Sequence, residues 1–147
     1  VHNRKMVKPI VTIVYSTKQC SLKIKIKNCG LGPAKIISIA ILNNKKGGAG
    51  RSNHEFLDLL NADGISGAHQ IKTFYQQVSI ENPIFLLPNE DIVLFDIPYK
   101  TEDGKEMLCS SEEVQSALSE YSIKLRFVDL YKKTHRSNIN FSNMRYL

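Results

Sequence analysis

The chain of 147 residues contains no tryptophan and only three cysteines, Cys20, Cys29 and Cys109. An odd count does not fit a secreted disulfide framework. Cys20 and Cys29 flank a segment that reads as extended, which would hold them roughly 30 Å apart, far beyond the ~7 Å reach of a disulfide. Either could pair with Cys109, but three reduced thiols suit a cytosolic compartment better. No apolar run approaches the ~20 residues of a membrane helix. The longest, residues 36–42, is interrupted by Ser38. No signal peptide is recognisable, and Val1 in place of an initiator Met reads as a piece of a longer chain.

Chemistry-bearing patterns are equally sparse. His2, His54, His69 and His135 are scattered, and no Cys-x-x-Cys or His-x-x-x-His pair occurs, so neither a metal nor a cofactor is expected. Gly64-Ile65-Ser66-Gly67-Ala68 resembles a serine nucleophile elbow superficially, but Ala68 stands where that motif needs glycine. Asp129 near Tyr131 reads as a turn-holding acid at a strand end. No catalytic set is expected, and the reading is a binding protein rather than an enzyme.

What is present describes a folded β protein. Hydrophobic residues make up 42% and charged residues 23%, ordinary for a globular chain. This length suits one domain, able to bury roughly 70% of its unfolded surface. Residues 1–9 form a basic lead-in with Arg4, Lys5 and Lys8 before Pro9, and residues 10–147 form the single domain.

The clearest element is Ser21-Leu22-Lys23-Ile24-Lys25-Ile26-Lys27-Asn28, whose strict alternation marks a strand with one wet face. Strands are also expected over residues 10–16, 35–42, 71–80, 91–98, 122–131 and 137–142, with a short strand or coil over 84–87. The 35–42 strand is apolar on both faces in places, which suits a central position. Turns are expected at residues 17–19, 88–90 and 132–136, with a hairpin tip at 101–105. Helices are expected over residues 54–61 and after Ser110, where Ser110 and Glu113 form a capping box. The expected class is mainly β: an antiparallel sandwich of seven to eight strands with one or two short helices in the connections.

The turn after the alternating strand reads Asn28-Cys29-Gly30-Leu31-Gly32-Pro33-Ala34. This strand–Asn-x-Gly-x-Gly-Pro-Ala–strand pattern, with the lead-in His2-Asn3-Arg4 and Pro9, resembles uncharacterised bacterial membrane-anchored proteins. The resemblance is close over residues 1–42 and loose over residues 122–141, where Asp129 fills the place of an Asp near the end of a late strand. It implies an immunoglobulin-like β domain preceded by a membrane span. With such a span, Arg4, Lys5 and Lys8 would place the domain on the cytoplasmic face of the bacterial inner membrane.

Net charge is +6, which favours anionic partners: a small molecule, a lipid surface or an acidic protein. The candidate binding residues are Lys23, Lys25 and Lys27 on one strand, and Lys124 and Arg126 on the late strand. If the two strands share a sheet, they form one positive face; a solvated, edge-protecting face is the alternative. No aromatics interleave with these lysines, which disfavours nucleic acid. Arg51 is a further candidate, in Lys45-Lys46-Gly47-Gly48-Ala49-Gly50-Arg51-Ser52, a glycine-rich loop without Walker spacing. It would matter most in a nucleotide-sensing version of the domain. A purely structural or oligomerisation domain is the remaining alternative.

Overall fold

The computed structural model describes residues 8–18, 21–45, 47, 49–50, 72–73, 78–100, 105 and 110–141. The expected helix over 54–61, the Gly64–Ala68 loop, most of the 101–105 tip and Arg51 lie outside them.

Period-two patterning builds two antiparallel sheets, a mainly β fold consistent with a sandwich. In the first sheet, β1 (Val11–Lys18) pairs with β2 (Ser21–Asn28). In the second, β3 (Ala34–Asn43) carries the two-residue β4 (Ala49–Gly50) on one edge. β5 (Lys72–Thr73) lies in the first sheet, and β6 (Ile84–Leu86) pairs with the start of β3. β7 (Asp91–Pro98) joins the first sheet, and α1 (Ser111–Leu118) leads into β8 (Tyr121–Val128) and β9 (Thr134–Asn140) of the second. The strand orders are β1-β2-β7-β5 and β4-β3-β8-β9. Nine strand segments are therefore found among the described residues, against seven or eight expected; β4, β5 and β6 are too short for a periodic signal.

The inward faces meet in one core. Leu22, Ile24 and Ile26 of β2 are fully buried, as are Ile36 and Ile41 of β3 and Ile123 of β8. Each such side chain contributes about 1.5–3 kcal/mol of burial. Val114 and Leu118, four apart on α1, cover the same core. Tyr15 of β1 meets Phe141, just after β9, edge-to-face at 6.1 Å, and burial pushes its phenol up to a pKa of about 12.

Two β-bulges reset which residues point inward. On β7, Ile24 of β2 faces Phe95 but Lys25 faces Val93, so Leu94 is the extra residue, and Leu94 and Phe95 are both buried. On β3, Ile36 faces Phe127 but Ser38 faces Arg126, leaving Ile37 extra. The inward set then switches from Ala34 and Ile36 to Ile39 and Ile41. Consecutive apolar residues at 36–37 thus reflect a bulge as well as the central position of β3.

Several boundaries differ from the sequence reading. β1 runs through Thr17 and Lys18, where a turn was expected. β8 stops at Val128 rather than Tyr131, because Asp129–Lys133 forms the turn, and β9 therefore starts at Thr134. Of the expected 71–80 strand, only Lys72–Thr73 is strand among the described residues, and 80–82 is a bend.

Candidate functional site

Strand pairing divides the basic residues between two outer faces. β2 belongs to the first sheet and β8 to the second, so Lys23, Lys25 and Lys27 do not share a face with Lys124 and Arg126. The single positive stripe expected from the sequence is not formed. Period two tells which residues of one strand share a face, not which strands share a sheet.

The β2 lysines are half-buried, and two of them face acids across the ladder without an ion pair among the described residues. Lys23 lies opposite Asp96 and Lys27 opposite Asp91 on β7. Opposite charges across a ladder make mildly stabilising pairs. One oxygen of Asp96, Oδ1, is buried without a hydrogen-bond partner.

The second sheet offers a different arrangement. On its outer face, Ser38, Arg126 and Arg136 form one cross-strand row, and Ala40, Lys124 and Asn138 form the next. Small residues on β3 leave room beside long cations on β8 and β9. The result is an open groove of about 470 Å³ lined by these six residues together with Leu125 and Ser137. Arg126 stands directly opposite Arg136, and like charges in that position repel. No carboxylate pairs with Lys124, Arg126 or Arg136 among the described residues. Adjacent positions on a sheet face are about 5–7 Å apart, so one anion can contact several of the three cations.

Arg136 was missed in the sequence, where residues 132–136 read as a turn. The usable signal was Thr134, Arg136, Asn138 and Asn140 alternating with His135, Ser137 and Ile139, the last three half-buried and the first four exposed.

The β8–β9 turn fixes this face at one end. Asp129 Oδ1 accepts the Tyr131 and Lys133 amides at 2.8 and 2.9 Å, and Oδ2 meets His135 Nε2 at 2.7 Å. The His135 ring stacks on Phe127 at 5.3 Å. Burial pushes the Asp129 carboxyl up, but the His135 contact and the two amides outweigh it and hold the pKa below the ordinary value. Lys132 takes a positive φ of 64° to close the turn. Asp129 is thus a turn-holding acid, as its sequence position suggested.

The described residues of the glycine-rich loop turn back along β3. Gly47, at φ 74°, donates to the Asn43 carbonyl, and Ala49 and Gly50 pair with Leu42 and Ile41. Lys45 forms an exposed ion pair with Glu120 at 3.1 Å. Among the described residues, no group of His, Cys, Asp and Glu could hold a metal ion, and no helix is long and apolar enough to cross a membrane.

Comparison with protein-family models, curated proteins and solved structures found no match. The site therefore stands on the chain's own geometry.

Proposed function

We propose that this chain is an immunoglobulin-like binding domain that takes a small phosphate- or carboxylate-bearing anion on the outer face of β3, β8 and β9. The observation that carries this reading is the direct opposition of Arg126 and Arg136, with Lys124 alongside and no acid among the described residues to offset them. Bound anion would remove that repulsion and gain charge-assisted hydrogen bonds from two planar donor groups.

The strand orders support the immunoglobulin-like part. With β6, which also pairs with β3, set apart, the orders β1-β2-β7-β5 and β4-β3-β8-β9 match A-B-E-D and C′-C-F-G, which favours this reading. Tyr121, fully buried at the start of β8, supports the same reading, since that fold keeps a tyrosine near the start of strand F. The tryptophan and inter-sheet disulfide of antibody domains have no counterpart; Ile24 and Leu125 fill the inner faces instead. The resemblance over residues 1–42 supports a wider setting, a bacterial membrane-anchored protein with this domain on the cytoplasmic side.

Thermal unfolding with inorganic pyrophosphate, citrate and a nucleotide panel tests the site. A ligand at a hundred times its Kd stabilises by about 2.7 kcal/mol, a shift of several degrees. The shift should vanish in Arg126→Ala and Arg136→Ala. No shift with any probe, or equal shifts in those variants, overturns the assignment.

A further inference from the structure

The end of the molecule where β2 passes into β3 carries large apolar side chains on several separate turns. Leu31, in the β2–β3 turn, is 67% exposed, and Leu130, in the β8–β9 turn, is 60% exposed. Ile10 precedes β1, and Phe85 and Leu87 lie on and just after β6; all three are more than half exposed. Pairing brings these segments to one end. The Cys29 amide donates to the Ile10 carbonyl at 2.7 Å, Ala34 faces Leu86, and Lys35 faces both Phe85 and Val128.

Charge at this end is positive where it is free. Lys8, Lys132 and Lys133 are exposed and have no acid partner among the described residues. Two nearby acids, Glu90 and Asp129, are held by hydrogen bonds. Glu90 accepts the Leu87 amide, Asp129 holds His135, and Asp91 lies opposite Lys27. In the sequence, Arg4 and Lys5 lie just upstream of Lys8.

We propose that this end is a docking surface for an anionic bilayer, with Leu31 and Leu130 entering the headgroup region and the lysines meeting lipid phosphates. Exposed apolar tips with lysines between them match a bilayer, which gains from both burial and charge. Protein interfaces are depleted in lysine, so a protein partner fits this composition less well. The surface is distinct from the Arg126–Arg136 groove and does not depend on it.

Vesicle co-sedimentation of the full chain tests it, comparing phosphatidylcholine with phosphatidylcholine–phosphatidylglycerol. Binding is expected only to the anionic vesicles, and should weaken with salt. Leu31→Asp/Leu130→Asp should weaken it about tenfold or more, with an unchanged unfolding temperature because both residues are exposed. Arg126→Glu/Arg136→Glu should retain it. The chain has no tryptophan, so Leu130→Trp supplies a clean reporter: its emission should shift to the blue on anionic vesicles, while that of Lys45→Trp, at the far end of β3, should not. The proposal is overturned by absent binding, by binding that the Leu31/Leu130 variant retains, by an unmoved Leu130→Trp emission, or by loss of binding in the Arg126/Arg136 variant alone.

Discussion

Asn28 Nδ2 donates to the Leu86 carbonyl at 3.1 Å, joining the last residue of β2 in one sheet to β6 in the other. The same side chain donates to the Gly32 carbonyl at 2.9 Å and accepts the Gly30 and Ile10 amides at 3.0 and 3.3 Å. Its backbone bonds to Glu90 and Asn89, which lie on either side of the β6–β7 turn's exit. Asn28 is completely buried, and both its donor and its acceptor groups are used.

Asn28→Ala should therefore be severe. It leaves two amides and two carbonyls without this partner, at about 1–3 kcal/mol for each group that water cannot reach. A loss of about 3 kcal/mol or more is expected in urea unfolding. Asn28→Asp should be nearly as damaging, because a carboxylate would face the Gly32 and Leu86 carbonyls. A loss below about 1 kcal/mol for both would contradict the bonding described.

Gly30→Ala meets backbone rather than side chain. An added Cβ would overlap the Lys8 carbonyl oxygen and the Ile10 nitrogen. Neither can turn aside, so the lead-in must detach from the turn. Faster amide exchange at Cys29 and Leu31, whose amides bond to Ile10 and Lys8, is the expected readout.

The β8–β9 turn should give stability an acid dependence. Asp129 is held below the ordinary carboxylate value when folded, so its contribution is fully present above the unfolded value of 3.8. It is lost as pH falls through the folded pKa. Urea midpoints should drop as pH falls below about 4, and Asp129→Asn should flatten that limb while lowering stability at neutral pH. A parallel decline in both proteins would assign the dependence elsewhere.

The arginine pair sets stability against binding. Arg136→Gln removes a like-charge neighbour, so the free protein should gain up to about 0.5 kcal/mol at low salt, and less as salt rises. The same change should abolish any stabilisation by pyrophosphate. A double-mutant cycle with Arg126→Gln measures the repulsion directly, and a coupling of zero would remove the premise of the site.

Much of this was readable in the sequence, and the rest has physical reasons for being hidden. Ser21–Asn28 was legible to the residue because its alternation is unbroken and its inner face is aliphatic. Asp91–Pro98 was equally well bounded, yet the bulge that buries both Leu94 and Phe95 depends on its partner strand. β9 was read three residues short because Thr134, His135 and Arg136 look like loop. Only His135 of the three is half-buried, and it points inward because Asp129 and Phe127 receive it. The pairing of Arg126 with Arg136 was hidden for that reason. The Asn28–Ala34 turn was recognised as a unit, but its use of Leu86, 58 residues away, was beyond local reading.

The knot around Asn28 also decides how the domain carries tension. The carbonyls of Lys8 and Ile10 accept the Leu31 and Cys29 amides, and Pro9 between them is buried. A pull on the chain ahead of Lys8 reaches these two bonds before it can peel β1 from β2. Because Asn28 ties that same point to both sheets, the load passes into the whole sandwich rather than into one edge strand. The end of the domain nearest the lead-in is thus also its mechanical clasp.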